Sequence, residues 1–230
     1  LIMYPNNKIL DKFEGSYLLE NAVDNHIHCC PHINGRSIHI FEAVRHAIAF
    51  KMKGIGLMDN FSNTSGYAAL INKELPNINL DVFGGLIMEP YAGGISAEVV
   101  KIALKYNYGD KLNTRFISMP THHTRYTAMI ENRSNNYIES CLHIPEAEQL
   151  FDPLPEILDL IAENDIVLNT GHLSGNEAIR LIEFAKKRGV KKIIVPSSHY
   201  KNDVVKEISK QNCYSEFSFF FVSNATEVGL

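Results

Sequence analysis

Two histidines stand two residues apart in the segment 23–28, which reads Val-Asp-Asn-His-Ile-His. In an extended strand alternate side chains share a face, so Asp24, His26 and His28 are predicted to point to the same side. Two neutral imidazoles placed in this way can bind one zinc, iron, nickel or copper ion. Because His-x-His pairs also occur by chance on exposed strands, the pair alone is a weak signal.

Further histidines follow later apolar runs that are predicted to be strands. His122 and His123 come after the run 115–119, His172 after 166–170 and His199 after 192–195. In an α/β barrel the active site lies at the C-terminal ends of the strands. Four strands that each end in histidine therefore predict a metal centre there, since metal ligands are recognised by their convergence.

The elements that must position these histidines alternate regularly along the chain. Apolar runs and helical periodicity predict seven strand–helix steps, which are typical of a parallel sheet covered by helices. The predicted strands are 23–28, 55–59, 80–88, 115–119, 166–170, 192–195 and 213–222; the predicted helices are 37–52, 64–75, 96–106, 154–162, 174–188 and 202–211. Ser37 is the predicted N-cap of the first helix. The segment 126–149 shows no regular element, which is typical of a lid, a binding loop or disorder.

Composition narrows the class of protein. The formal net charge is -4 and the 22 basic residues are scattered, so no nucleic-acid partner is expected. The first 13 residues lack the apolar stretch of a signal peptide or spanning helix, so no membrane partner is expected. The four cysteines form no Cys-x-x-Cys pair, which favours a reducing compartment and predicts the cytoplasm.

Several motifs together resemble the amidohydrolase-related metal-dependent hydrolases. More narrowly, the chain is similar to a poorly characterised bacterial domain of unknown function within that superfamily, over roughly residues 23–222. The motifs that carry the resemblance are Asp24-x-His26-x-His28, Arg36, Phe83-Gly84-Gly85, Met119-Pro120-Thr121, Thr170-Gly171-His172-Leu173-Ser174 and His199.

The resemblance implies a distorted TIM-type (β/α) barrel that activates water for attack on an amide, ester or lactone of a small molecule. It implies one or two divalent ions, with zinc expected first and iron or manganese next. Carried over by position, the metal ligands are the histidines of the strand ends, with His123 as the alternative to His122: His26, His28, His122, His172 and His199.

Other site residues are predicted around the histidines. The second strand ends in Asp59 where the nearest relatives would have lysine, so a single ion with Glu89 or Asp59 assisting is the more economical interpretation. Asp24 is predicted either to orient a ligating histidine or to bind the ion itself. Arg36 and Arg125 lie in loops on the same side and are predicted to hold a substrate carboxylate or phosphate.

Two other functions stay open. One is a phosphoesterase of the polymerase-and-histidinol-phosphatase type, which also opens with His-x-His on a barrel strand. The other is an inactive barrel that serves as a binding or assembly subunit. The given chain, taken as one domain over 1–230, lacks an eighth strand and helix and is expected to be trimmed. If the native chain ends near Leu230, the free edges of the first and seventh strands predict a homo-oligomer.

Overall fold

Short apolar segments form the strands of a single parallel sheet. The computed structural model describes residues 14–108 and 111–218. Its strands are β1 (Val23–Ile27), β2 (Gly54–Leu57), β3 (Asp81–Ile87), β4 (Thr114–Ser118), β5 (Val167–Asn169), β6 (Lys192–Pro196) and β7 (Tyr214–Glu216). Each strand pairs in parallel with the next one in sequence. The predicted α/β class is confirmed, with seven strands in a curled sheet that forms a half-barrel.

Helices connect the strands. They are α1 (Ile40–Ala49), α2 (Ser65–Glu74), α3 (Ala97–Leu104), α4 (Arg125–Ile130), α5 (Asn135–Ser140), α6 (Leu154–Glu163), α7 (Gly175–Lys187) and α8 (Asn202–Ser209), with short 3-10 turns at Ser16–Leu19 and Pro90–Ala92. None of the helices in the two described ranges is long and apolar enough to cross a membrane. Parallel strands need such crossover connections, so the sequence order of the sheet follows from the alternation of elements.

Alternation of side chains along the strands separates two apolar layers. Ile117 of β4 and Leu168 of β5 face the helices and belong to the large core under α3, α6 and α7. Their neighbours Phe116 and Val167 point to the other face of the sheet, where they pack with Met58 and Ile87 inside the curl. These side chains fill part of the curl, and all but Ile87 line a cavity of about 230 Å³ beside them.

The structure corrects two predicted helical features. The segment 126–149 is not irregular throughout, because α4 begins at its N-terminal end and α5 lies within it. Each has only six residues, too few for an apolar period to show in the sequence. The N-cap of α1 is His39 and not Ser37, since His39 Nδ1 accepts from the backbone N–H of Glu42 and Glu42 accepts in return.

The C-terminal predictions are met only in part. Strand β7 is three residues long, whereas the sequence predicts a strand over 213–222. The remainder of that prediction, from residue 219 on, lies outside the described residues, and so does the predicted absence of an eighth strand and helix. The homo-oligomer rests on the same end of the chain and stays a prediction, as does the cytoplasmic location.

Glu177 fastens the start of α7 to the segment that precedes α6. One carboxylate oxygen accepts from the backbone N–H of Ser174, and the other accepts from the backbone N–H of Ile144 at 2.9 Å and lies 2.8 Å from His143 Nδ1. Burial alone would raise the pKa of Glu177, but the hydrogen bonds from Ser174, Ile144 and His143 outweigh it and hold the pKa below its ordinary value. The ionised carboxylate therefore stabilises the fold.

Replacing Glu177 with glutamine is expected to lower the free energy of unfolding by about 2 kcal/mol near pH 7. A folded-state pKa below the unfolded value gives stability above the unfolded pKa of about 4.3, and this stability is lost as the pH falls through the folded pKa. The difference between wild type and Glu177→Gln should therefore shrink in urea unfolding below about pH 4. Glu183→Gln, on an exposed position of the same helix, is the matched control. A difference that stays constant with pH would contradict the assignment.

Candidate functional site

The C-terminal ends of the strands surround a cleft of about 780 Å³. We call it the histidine cleft, because four of the five predicted metal ligands follow strands that end there and the fifth lies on β1 itself. Its lining includes the side chains or backbone of His26, His28, Arg36, Asn60, Thr121, His122, His172, Ser198, His199 and Glu216. All five histidines predicted as ligands line this cleft, at the C-terminal ends of parallel strands.

His26 lies between two partners. Its Nδ1 is 2.5 Å from Oε1 of Glu216, and its Nε2 is 3.1 Å from Nε2 of His28. A carboxylate that accepts from Nδ1–H fixes the tautomer in which Nε2 carries a lone pair. Glu216 belongs to β7 and His26 to β1, so this contact joins the two edge strands of the sheet. The other carboxylate oxygen of Glu216, Oε2, is buried without a hydrogen-bond partner among the described residues.

The spacing of the two imidazoles fits a shared ion. Tetrahedral zinc with Zn–N bonds of about 2.0–2.1 Å holds two ligand nitrogens about 3.3 Å apart. The Nε2 atoms of His26 and His28 are 3.1 Å apart, which is within hydrogen-bond distance and also close to that separation. In residues 14–108 and 111–218, no group of three or more His, Cys, Asp or Glu side chains is arranged to hold a metal ion. The described residues therefore fit a zinc ion with two protein ligands.

Three histidines of the cleft have lowered pKa values and are kept neutral. Burial, with the nearby His26 and Arg36, lowers the pKa of His28 to about 3. Burial, with the nearby His199 and His122, lowers the pKa of His172 to about 3, and burial also lowers the pKa of His199. Neutral imidazole is the form that binds a metal ion. At neutral pH these side chains are available as ligands without losing a proton.

His172 and His199 form a second pair in the cleft. Their ring centroids are 5.1 Å apart, and Tyr200 packs against His199 with a centroid distance of 4.5 Å. Gly171, directly before His172, has a φ of +59°, and a Cβ there would lie 2.3 Å from the carbonyl oxygen of Pro120. Only glycine fits this close approach of two backbones. It allows the His172 N–H to donate to that carbonyl.

Glu89 holds the segment 121–123 that forms one wall of the cleft. Oε1 accepts from the N–H and hydroxyl of Thr121 and from the N–H of His122, at 2.6 to 2.9 Å, and Oε2 accepts from the N–H of His123 at 3.1 Å. The side chain is 1% exposed and does not line the cleft. Its geometry is that of a residue that positions His122, while the predicted catalytic role stays a prediction.

The other predicted carboxylates also make structural contacts. Asp24 lines the cleft, and its Oδ1 accepts from the backbone N–H of His26 at 3.0 Å. Asp59 lies outside the lining and accepts from the N–H of Phe61 and the hydroxyl of Ser62, both at 2.8 Å. The carboxylate that contacts an imidazole of the pair is thus Glu216, which the sequence analysis missed.

The two predicted substrate arginines are separated. Arg36 lines the histidine cleft, where its Nη2 lies 3.1 Å from Nε2 of His32 and its Nε is buried without a hydrogen-bond partner among the described residues. Arg125 is the first residue of α4 and lines a different cleft. Arg36 therefore stays a candidate for substrate binding at the histidine cleft. Arg125 does not line the histidine cleft. The prediction that Arg36 and Arg125 serve the same site is therefore corrected.

Comparison with known proteins places the chain in a family. Residues 21–216 match DUF6282, a family of unknown function, and the chain belongs to that family. The match covers the sheet and every residue of the histidine cleft named above. No curated protein matches the chain.

Proposed function

We propose that this protein is a metal-dependent hydrolase, built on a distorted TIM-type barrel, that acts on an amide, ester or lactone of a small molecule. The observation that carries the proposal is the pair of Nε2 atoms 3.1 Å apart at the rim of a parallel sheet, one of them on an imidazole oriented by a carboxylate. Carboxylate–histidine pairs of this kind are characteristic of metal-ligating histidines.

The residues of the histidine cleft take distinct roles in this proposal. His26 and His28 would hold one divalent ion, zinc first and iron or manganese next, which supplies hydroxide near neutral pH. Glu216 keeps the lone pair of His26 directed towards His28. His172 lines the same cleft, and its imidazole, kept neutral by burial, can donate or accept a hydrogen bond with the substrate. Arg36 lines the cleft and can bind an anionic group of the substrate through its guanidinium.

A second candidate is a barrel that binds a ligand without catalysis. It is favoured by the lack, in the part of the chain that the structure describes, of three converging metal ligands. Catalytic zinc sites usually have three protein ligands and one open position. Metal content separates the two candidates, because a binding barrel has no need of an ion.

Metal analysis by inductively coupled plasma mass spectrometry tests the proposal. Wild-type protein purified without chelator is expected to hold about one equivalent of zinc, iron or manganese. The double variant His26→Ala, His28→Ala is expected to lose the metal. The control His46→Ala, on α1 outside the cleft, is expected to keep it.

The outcome then directs the substrate screen. Stoichiometric metal justifies panels of lactones, amides and esters, with phosphate esters beside them to detect a phosphoesterase. Wild-type protein without metal, which takes up none when it is added, would reject the hydrolase and leave the binding barrel.

A further inference from the structure

We propose that a second cleft, lined by Arg125, binds a small organic carboxylate with an apolar body. The cleft lies beside the 3-10 turn Pro90–Ala92 and is bounded by the segment 140–145 on the other side. Its volume is about 510 Å³. Ligand pockets for small molecules measure about 300–1,000 Å³, so the size suits one small ligand.

Arg125 supplies a charge without an internal counter-ion. Its Nε is buried and has no hydrogen-bond partner in the described part of the chain. No carboxylate of those residues lies within 4 Å of its guanidinium nitrogens, in contrast to Arg133 and Arg188, which both form ion pairs. Burying a donor of a charged group without a partner costs free energy. A ligand anion in the cleft would supply the guanidinium with the counter-charge that the described residues do not provide.

Two carboxylates that hold segments lining this cleft are engaged by other groups. Glu89 accepts four hydrogen bonds from residues 121–123, and Glu177 binds Ser174, Ile144 and His143. Neither can turn to Arg125 without leaving those donors unsatisfied. Neither carboxylate therefore neutralises Arg125, which lines the cleft.

The lining of the cleft indicates what the ligand carries besides its carboxylate. Met88, Ile95, Leu142 and Phe151 provide apolar surface, whereas His123 and His143 provide polar groups. Pockets for small molecules are mostly apolar with a few polar groups that fix the orientation of the ligand. A planar carboxylate matches the fork of a guanidinium, and an apolar body matches these walls. A carboxylate is favoured over free phosphate, which would leave the apolar wall unused.

The second cleft is distinct from the histidine cleft. The two share no lining residue, although the segment 120–123 contributes to both. Thr121 and His122 face the histidine cleft, and Pro120 and His123 face the second cleft. Binding at Arg125 therefore does not depend on whether the proposed hydrolase centre holds a metal.

Isothermal titration calorimetry with benzoate tests the proposal on the full chain. Wild type is expected to bind benzoate, and neutral benzamide is expected to bind at least about tenfold more weakly, because a charge-assisted hydrogen bond is lost. Arg125→Gln should weaken benzoate binding by a similar factor. Arg188→Gln, which alters an exposed ion pair with Asp159 and lines neither cleft, should leave benzoate binding unchanged. Thermal unfolding establishes that the variants are folded.

Two further variants examine the geometry. Arg125→Lys keeps the charge but not the fork, so its affinity for benzoate should fall between those of wild type and Arg125→Gln. Phe151→Ala should weaken the binding of benzoate, because it removes part of the apolar wall. Titrated in the same way, inorganic phosphate should bind this variant and wild type equally. The proposal is overturned if wild type does not bind benzoate at millimolar concentration, if Arg125→Gln binds as tightly as wild type, or if Arg188→Gln abolishes binding. None of these results depends on the metal content that tests the proposed function.

Discussion

Glu89→Gln is expected to lower the free energy of unfolding by about 3 kcal/mol, or roughly 6 to 12 °C in Tm for a chain of this size. The glutamine amide would place a donor where a carboxylate oxygen now accepts from the N–H groups of residues 121–123. Because the side chain is buried, water cannot satisfy the groups left without partners. Thermal unfolding followed by circular dichroism measures the change.

The loss should extend to the histidine cleft, since residues 121 and 122 form part of its wall. Metal content and any turnover should therefore fall together with stability. Glu98→Gln on α3 is the matched control, because it alters only an exposed ion pair with Lys101 and should leave the midpoint nearly unchanged. If Glu89→Gln kept its midpoint and its metal but lost turnover, Glu89 would be a catalytic residue and not a positioning one.

Glu216→Ala is expected to weaken metal binding by about 10- to 100-fold, the usual effect of removing a carboxylate that orients a ligating histidine. Without Glu216, the Nδ1 of His26 has no carboxylate to fix its tautomer, and its Nε2 no longer keeps its lone pair for the ion. Competition with a fluorescent zinc chelator measures the affinity.

The conservative variant separates orientation from packing. Glu216→Gln keeps an oxygen that can accept from His26, so it should recover part of the affinity that Glu216→Ala loses. Glu207→Ala, on the exposed face of α8, should bind zinc as wild type does. Equal zinc affinity in Glu216→Ala and wild type would mean that His26 does not need the carboxylate.

The strand ends could be predicted because buried parallel strands are short apolar runs. The run 166–170 contains β5, and the run 192–195 gives nearly all of β6, so their histidines were placed at the correct edge of the sheet. Glu216 was missed because the last strand was predicted to be too long. A strand predicted over 213–222 puts Glu216 in its middle, whereas β7 ends at that residue. A shorter strand would have placed a carboxylate beside the histidines.

The separation of Arg36 from Arg125 could not be predicted from local pattern. Both follow strands in loops on the same side, which is all that periodicity reports. What separates the clefts is the segment 120–123, and this is held by Glu89 from 32 to 34 residues away. Hydrogen bonds between distant parts of the chain depend on the assembled sheet. They leave no trace in the spacing of apolar residues.

The contact between His26 and Glu216 joins residues that are 190 positions apart in the chain. Closing so long a loop costs conformational entropy, and local contacts do not repay it until the intervening strands are in place. We therefore expect the paired imidazoles to gain their carboxylate late in folding, after the helices and inner strands. A nascent or partly folded chain has the two histidines but lacks the residue that orients them. The complete site is thus a property of the finished sheet, which limits ion capture by incompletely folded protein.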